Sequence, residues 1–187
     1  MPFEFKPLPG MPDVVLIEPK IFRDERGFVF PSYVRSEFEK HGIATSFPQD
    51  LVSASNDVGV LRGLHYQDPP AAQGKLVRPT RGEIFDVIVD IRRGSPTFGR
   101  WASVDLSASR GQTLWIPPGF AHGFCSLTPD VELLYKLTHE WSPAHERIIR
   151  WDDPAIGIRW PVEKPILAPK DAQAPLLKDA HIEFHYA

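Results

Sequence analysis

The chain has 187 residues, 42% of them hydrophobic, and its 24 acidic and 21 basic side chains leave a formal net charge of −3. Apolar residues spread along the whole length predict a single domain over 1–187, large enough to bury its own core, with no disordered tail. The near-neutral balance and the lack of a Lys/Arg run exclude an electrostatic footprint for nucleic acid, and no apolar stretch approaches the ~20 residues that span a bilayer, so no membrane partner is expected.

The opening MPFEFKPLPG lacks the apolar core of a secretory signal. Together with the single Cys125, which excludes an intrachain disulfide, this predicts a soluble cytoplasmic protein. From Ser36, SEFEKHG offers an N-cap serine, Glu39 at the capping-box spacing and Gly42 as a stop, the clearest helical signature in the chain. Farther on, EIFDVIVDIR (83–92), TLWIPP (113–118) and VELLYKLTH (131–139) are rich in β-branched and aromatic residues with partial period-two alternation, and predict strands. In 83–92, Ile84, Val87, Val89 and Ile91 crowd around Asp86 and Asp90, the pattern of a strand buried on one face and largely on the other. Twenty prolines punctuate these runs, paired at 69–70 and set in PPG at 117–119. Many short strands and few helices predict an all-β fold, an antiparallel barrel or sandwich.

Reactive side chains concentrate in two places. GVLRGLHYQDPPAAQGKLVRPTRGEIFDV (59–87) sets Arg62, His65, Lys75 and Arg78 in and around two apolar runs. Alternation puts Arg62 and His65 on opposite faces of a flat strand, so both reach one ligand only if Gly63 between them permits a bulge or twist. GQTLWIPPGFAHGF (111–124) spaces Gly111, Pro117, Gly119 and His122 as G-x5-P-x-G-x2-H. This resembles the second motif of the cupin barrels, in which the proline and glycines turn a tight corner and the histidine points into the barrel. Metal-holding cupins add an H-x-H pair and a carboxylate in their first motif. Here that place reads His65-Tyr66-Gln67, a poor zinc or iron site, and no metal or other cofactor is expected.

A closer resemblance follows from RDERGFVF (23–30), GVLRGLHYQ (59–67), AQGKLVR (72–78), FDVIVDIRRGSPTFGRW (85–101), WIPPGFAHGF (115–124), LLYK (133–136), RWDDPAIGIRWP (150–161) and KPILAPKDAQAP (164–175). In this order they are similar to the dTDP-4-keto-6-deoxyglucose (dTDP-4-dehydrorhamnose) 3,5-epimerases of the rhamnose pathway, over nearly the whole chain. The resemblance implies a cupin-like antiparallel barrel (jelly roll) with a few short helices, a nucleotide-diphospho-sugar substrate and a homodimer whose N-terminal strands cross to the partner. It also implies roles. His65 paired with Asp171 removes the proton beside the keto group, Lys75 stabilises the enolate oxygen, and Tyr135 returns a proton from the opposite face. Arg26, Phe28, Gln49, Arg62, His122, Glu146 and Lys170 fall at substrate-binding positions, and His122 serves equally well as a barrel residue inherited from the cupin plan. General chemistry agrees: an imidazole oriented by a carboxylate is a base at neutral pH, and a held cation stabilises developing negative charge.

Two departures stand out. Pro31 replaces a ligand-contacting Glu of the family, and Leu51 replaces an Asn, which removes a carboxylate acceptor and an amide from the nucleotide end. The same base and acid would serve a sister enzyme that inverts C3 alone or takes a GDP or CDP sugar. A 3,4-ketoisomerase is a poorer match, and a non-catalytic sugar-binding cupin would be expected to lack the His, Lys or Tyr that are all present here.

Overall fold

Thirteen short strands among the described residues build two antiparallel sheets and a small hairpin. The computed structural model describes residues 2–43 and 46–186. Its strands are β1 (Phe3–Leu8), β2 (Met11–Pro19), β3 (Phe22–Asp24), β4 (Gly27–Val29), β5 (Gln49–Ser55), β6 (Leu61–Gln67), β7 (Lys75–Arg81), β8 (Glu83–Asp90), β9 (Trp101–Ser107), β10 (Thr113–Ile116), β11 (Phe120–Ser126), β12 (Val131–Leu137) and β13 (Glu146–Ile148). Two short helices, α1 (Arg35–Glu39) and α2 (Pro169–Ala172), complete it with one 3-10 turn at Ala108–Arg110. One sheet runs β1-β2-β10-β7-β12-β5 and the other β13-β6-β11-β8-β9, while β3 and β4 pair only with each other. The expected all-β, cupin-like antiparallel barrel is what the chain forms. No helix among the described residues is long and apolar enough to cross a membrane.

The inner faces of the two sheets share one core, in which Val77, Leu114, Ile116 and Leu133 pack with Ile84, Ile88, Phe120 and Phe124. The outer faces are covered as well. Val87, Val89 and Ala121 lie under Ile149, Ile156, Ala180 and Ile182 of the C-terminal segment. Val15, Ile17, Leu76 and Trp115 lie under Phe38 of α1 and Phe3 of β1. This double burial is why 83–92 is apolar on both faces. Asp86 and Asp90 share the inward-facing parity of Ile84 and Ile88, and both are fully buried.

The helix over SEFEKHG forms, but Ser36 does not cap it. Val34 occupies the N-cap with no side-chain cap bond, and Ser36 falls inside α1. Glu39 bonds Arg35 at 2.7 Å instead of closing a capping box. Packing sets the start: Phe38 is fully buried, with its ring edge-on to Phe3 at 5.3 Å and tilted against Tyr33 at 4.8 Å. The stop is as expected, with Gly42 at φ +75°.

The condition placed on Gly63 is met. His65 lies opposite His122 and Arg62 opposite Phe124, so three steps along β6 match two along β11, a bulge with one extra residue. Gly63 has φ +134°, and a Cβ there would lie 2.5 Å from Gly123 Cα and 3.0 Å from the His122 carbonyl. Gly63→Ala should therefore lower the melting temperature and weaken catalysis together, since strain of this kind costs roughly 1–3 kcal/mol before the clash is counted. An unchanged melting curve would show that β6 tolerates a side chain at this point.

Candidate active site

A cavity of about 590 Å³ is lined by β5, β6, β7, β11, β12, β13 and α2. All four candidate catalytic residues line it, as does every expected substrate contact except Arg26 and Phe28.

His65 stands in β6 with its side chain 29% exposed, and its Nε2 lies 2.7 Å from Oδ1 of Asp171, whose side chain is 2% exposed. Asp171 is delivered by α2, a single turn begun by Pro169 after extended Ala168, with the Asp171 N–H donating to the Ala168 carbonyl. The C-terminal segment thus folds back onto the barrel. Asp171 holding Nε2 leaves Nδ1 as the free nitrogen of His65.

Lys75 begins β7 on the inner face. It is 7% exposed, and among the described residues its Nζ has no hydrogen-bond partner. Burial alone pushes its pKa down to about 8. Tyr135, in β12, is 7% exposed, and its phenol is pushed above the usual range by burial and then by the Asp86 charge, with Arg62 opposing. The phenol therefore holds its proton firmly.

A second histidine–carboxylate pair lies deeper. His122 Nε2 is 2.9 and 3.1 Å from the two oxygens of Asp86, and its ring is 6.1 Å from that of Tyr135. Burial raises the Asp86 pKa, with the charge of His122 and its hydrogen bond opposing. Asp86 belongs to no site expectation; the signal that could have found it is a carboxylate at an inward position of a strand apolar on both faces.

Around the mouth, the Arg62 guanidinium donates to the Ala54 carbonyl at 2.8 Å, Lys170 pairs with Glu146 at 3.0 Å, and Gln49 Oε1 accepts from the Trp141 N–H at 2.6 Å. Trp141 also lines the cavity and is 57% exposed, an indole that no motif flagged. Leu51 lines the cavity too, directly opposite Tyr135 in the ladder. Gln67, at the place of the second cupin histidine, is consumed by structure: its amide donates to the Ala71 carbonyl and accepts from the Ser142 N–H. Among the described residues no group of three His, Cys, Asp or Glu side chains comes together as a metal set.

Four residues stand elsewhere. Arg26 pairs with Asp24 at 2.6 Å and is 85% exposed, and Phe28 stacks on Phe30, both on the hairpin that joins neither sheet. Pro31 follows that hairpin and is outside the cavity lining. Arg78 is carried by alternation to the outer face of β7, its guanidinium 5.8 Å from the Phe30 ring centre.

A carboxylate-backed imidazole, a buried ammonium unpaired among the described residues and a protonated phenol inside one barrel are groups of the class suited to moving protons beside a carbonyl. The family model for dTDP-4-dehydrorhamnose 3,5-epimerase matches residues 9–179, and the chain belongs to that family. It is 55% identical to the dTDP-4-dehydrorhamnose 3,5-epimerase of Salmonella typhimurium, over 91% of this chain and 94% of that protein. With the enzyme of the same name from Pseudomonas aeruginosa it shares 54% over the same fractions. Its fold superposes with a TM-score of 0.93 on the dTDP-6-deoxy-D-glucose-3,5-epimerase of Legionella pneumophila in complex with dTDP-4-keto-L-rhamnose, 44% identical and covering 99% of both chains.

The buried ammonium has a measurable cost. Because the Lys75 pKa is held at about 8 against an ordinary 10.5, the unfolded chain binds more protons across that window and stability rises with pH through it. The full penalty, on the order of 3 kcal/mol, applies below the window. Ligand-free Lys75→Met should melt higher than the parent protein at pH 7, with the gap closing as the pH rises from about 8 towards 10.5. Equal melting temperatures at pH 7 would mean that the ammonium is compensated.

Proposed function

We propose that the chain inverts C3 and C5 of a nucleotide-diphospho-4-keto-6-deoxyhexose, converting dTDP-4-dehydro-6-deoxyglucose to dTDP-4-dehydrorhamnose through enolate intermediates. The observation that carries this reading is the convergence of the His65–Asp171 pair, unpartnered Lys75 and protonated Tyr135 on one cavity. His65 Nδ1 takes the proton from the carbon beside the keto group, and Asp171 stabilises the imidazolium that forms. The Lys75 ammonium, lacking any partner among the described residues, meets the enolate oxygen as charge develops there. A pKa near 8 leaves most of it charged at neutral pH. Tyr135 returns a proton from the other face, since inversion needs donor and base on opposite sides of the sugar. Arg62, Lys170 and Gln49 surround the mouth, where guanidinium and ammonium groups suit a pyrophosphate.

In this reading Arg26 and Phe28 act in a homodimer. Their hairpin projects Phe22, Phe28 and Val29 at 51%, 58% and 69% exposure, an apolar surface suited to another copy of the chain, so that Arg26 would reach the partner's cavity. The same reading has the enzyme act in the cytoplasm, in keeping with the buried free thiol of Cys125.

The test is proton NMR of dTDP-4-keto-6-deoxyglucose in deuterated water, run with the parent enzyme and with Tyr135→Phe. The parent should install deuterium at both C3 and C5. Tyr135→Phe deletes one hydroxyl while the ring still fills its place, so exchange should outlast inversion, and epimerised product should fall by ~10²–10⁴-fold. Full inversion in this variant would assign the donor to water or another side chain.

A further inference from the structure

The Asp86–His122 pair has no part in the chemistry set out above, and holding strands together does not explain it. β8 and β11 are joined by an unbroken ladder from Phe120↔Asp90 to Ser126↔Ile84, so a side-chain tie between them adds little. In that ladder Phe124 sits opposite Asp86 and Ile88 opposite His122, which makes the pair a diagonal contact. Asp86 is fully buried among apolar neighbours of its own face, Ile84 and Ile88, and His122 is its only hydrogen-bond partner among the described residues. A buried carboxylate in such surroundings contributes little stability compared with a well-packed hydrophobe. Its effect falls on the imidazole. His122 lines the cavity and Asp86 does not.

His65 and His122 face each other as register partners on β6 and β11, and each is held at Nε2 by a carboxylate, one brought by α2 and the other by β8. The two rings are thus fixed alike, with Nδ1 the nitrogen of each that no described residue engages. Only one of them is needed as base. We propose that Asp86 is a positioning residue: it fixes His122 with the proton on Nε2, so that the Nδ1 lone pair is a standing acceptor that reads a hydroxyl of the hexose. The proposal deepens the epimerase reading and rests on it. A ring held in one tautomer accepts from a hydroxyl without first reorganising, whereas the opposite tautomer would reverse the contact, with Nδ1–H donating to the hydroxyl oxygen, and would set a bare Nε2 against the Asp86 carboxylate.

The test joins nitrogen-15 NMR of the histidine rings, with His122 assigned by its absence in His122→Asn, to steady-state kinetics of Asp86→Asn. In the parent protein His122 should carry its proton on Nε2 with Nδ1 bare. In Asp86→Asn that preference should be lost, and kcat/KM should fall by about 10- to 100-fold, the usual effect of removing a group that orients a functional histidine. Deuterium entry at saturating substrate should survive, because His65–Asp171 is untouched. A proton on Nδ1 in the parent would overturn the proposal. So would an Asp86→Asn variant that changes only the tautomer or only kcat/KM. If Asp86→Asn does not fold, the parent spectrum still decides the tautomer. Failure of the epimerase reading looks different: no deuterium enters the substrate with the parent enzyme, while the tautomer of His122 is unaffected.

Discussion

At Gly63 and Gly123 the backbones of β6 and β11 approach so closely that no side chain fits between them. A Cβ on Gly123 would meet the Arg62 carbonyl at 2.8 Å, just as one on Gly63 would meet Gly123. The arrangement of the cavity follows from that approach. The extra residue in β6 brings Arg62 round to the cavity that His65 faces, and it sets His65 directly across from His122. Flatten the bulge and alternation sends the guanidinium to the opposite face of the sheet.

The cavity is expensive to maintain. Among the described residues Lys75 is buried with no partner and Asp86 with one, and Tyr135 is held where its ionised form is strongly disfavoured. Groups like these destabilise a fold, and the barrel offsets them by covering both sheets on their outer faces. Phe38 of α1, with Tyr33, Val34 and Phe47 around it, shields one sheet, and the segment after β13 shields the other. That last segment has a second consequence, since the same return of the chain that buries Ile156, Ala180 and Ile182 also carries Asp171 to His65. Packing and the proposed catalysis therefore share one stretch of polypeptide. The groups that cost stability are the ones with something to gain from a ligand, because a cation without a counter-ion is poised for negative charge that appears only during reaction.

Much of this was legible in the sequence, because strand alternation and the glycine–proline corner before His122 are local signals. The need for a bulge at Gly63 could be stated from parity alone. The Asp171–His65 pairing could not, since 106 residues separate the two and only the family resemblance joined them. Asp86 read as an oddity of a buried strand rather than as a partner for His122, because cross-strand diagonals depend on register. Ser36 misled because local capping chemistry was outweighed by the burial of Phe38. Arg78 shares a segment with Lys75, yet its odd spacing from Lys75 places it on the outer face. Arg26 and Phe28 belong to a hairpin that this chain's own sheets do not engage.

In the proposed mechanism one imidazole, His65 backed by Asp171, takes the protons from both carbons. This is tested most directly by incubating dTDP-4-keto-6-deoxyglucose with folded His65→Ala in deuterated water and following C3 and C5 by proton NMR. Deuterium entry at both positions should fall together by at least ~10²-fold. Exchange persisting at either carbon would establish a second base and contradict this mechanism.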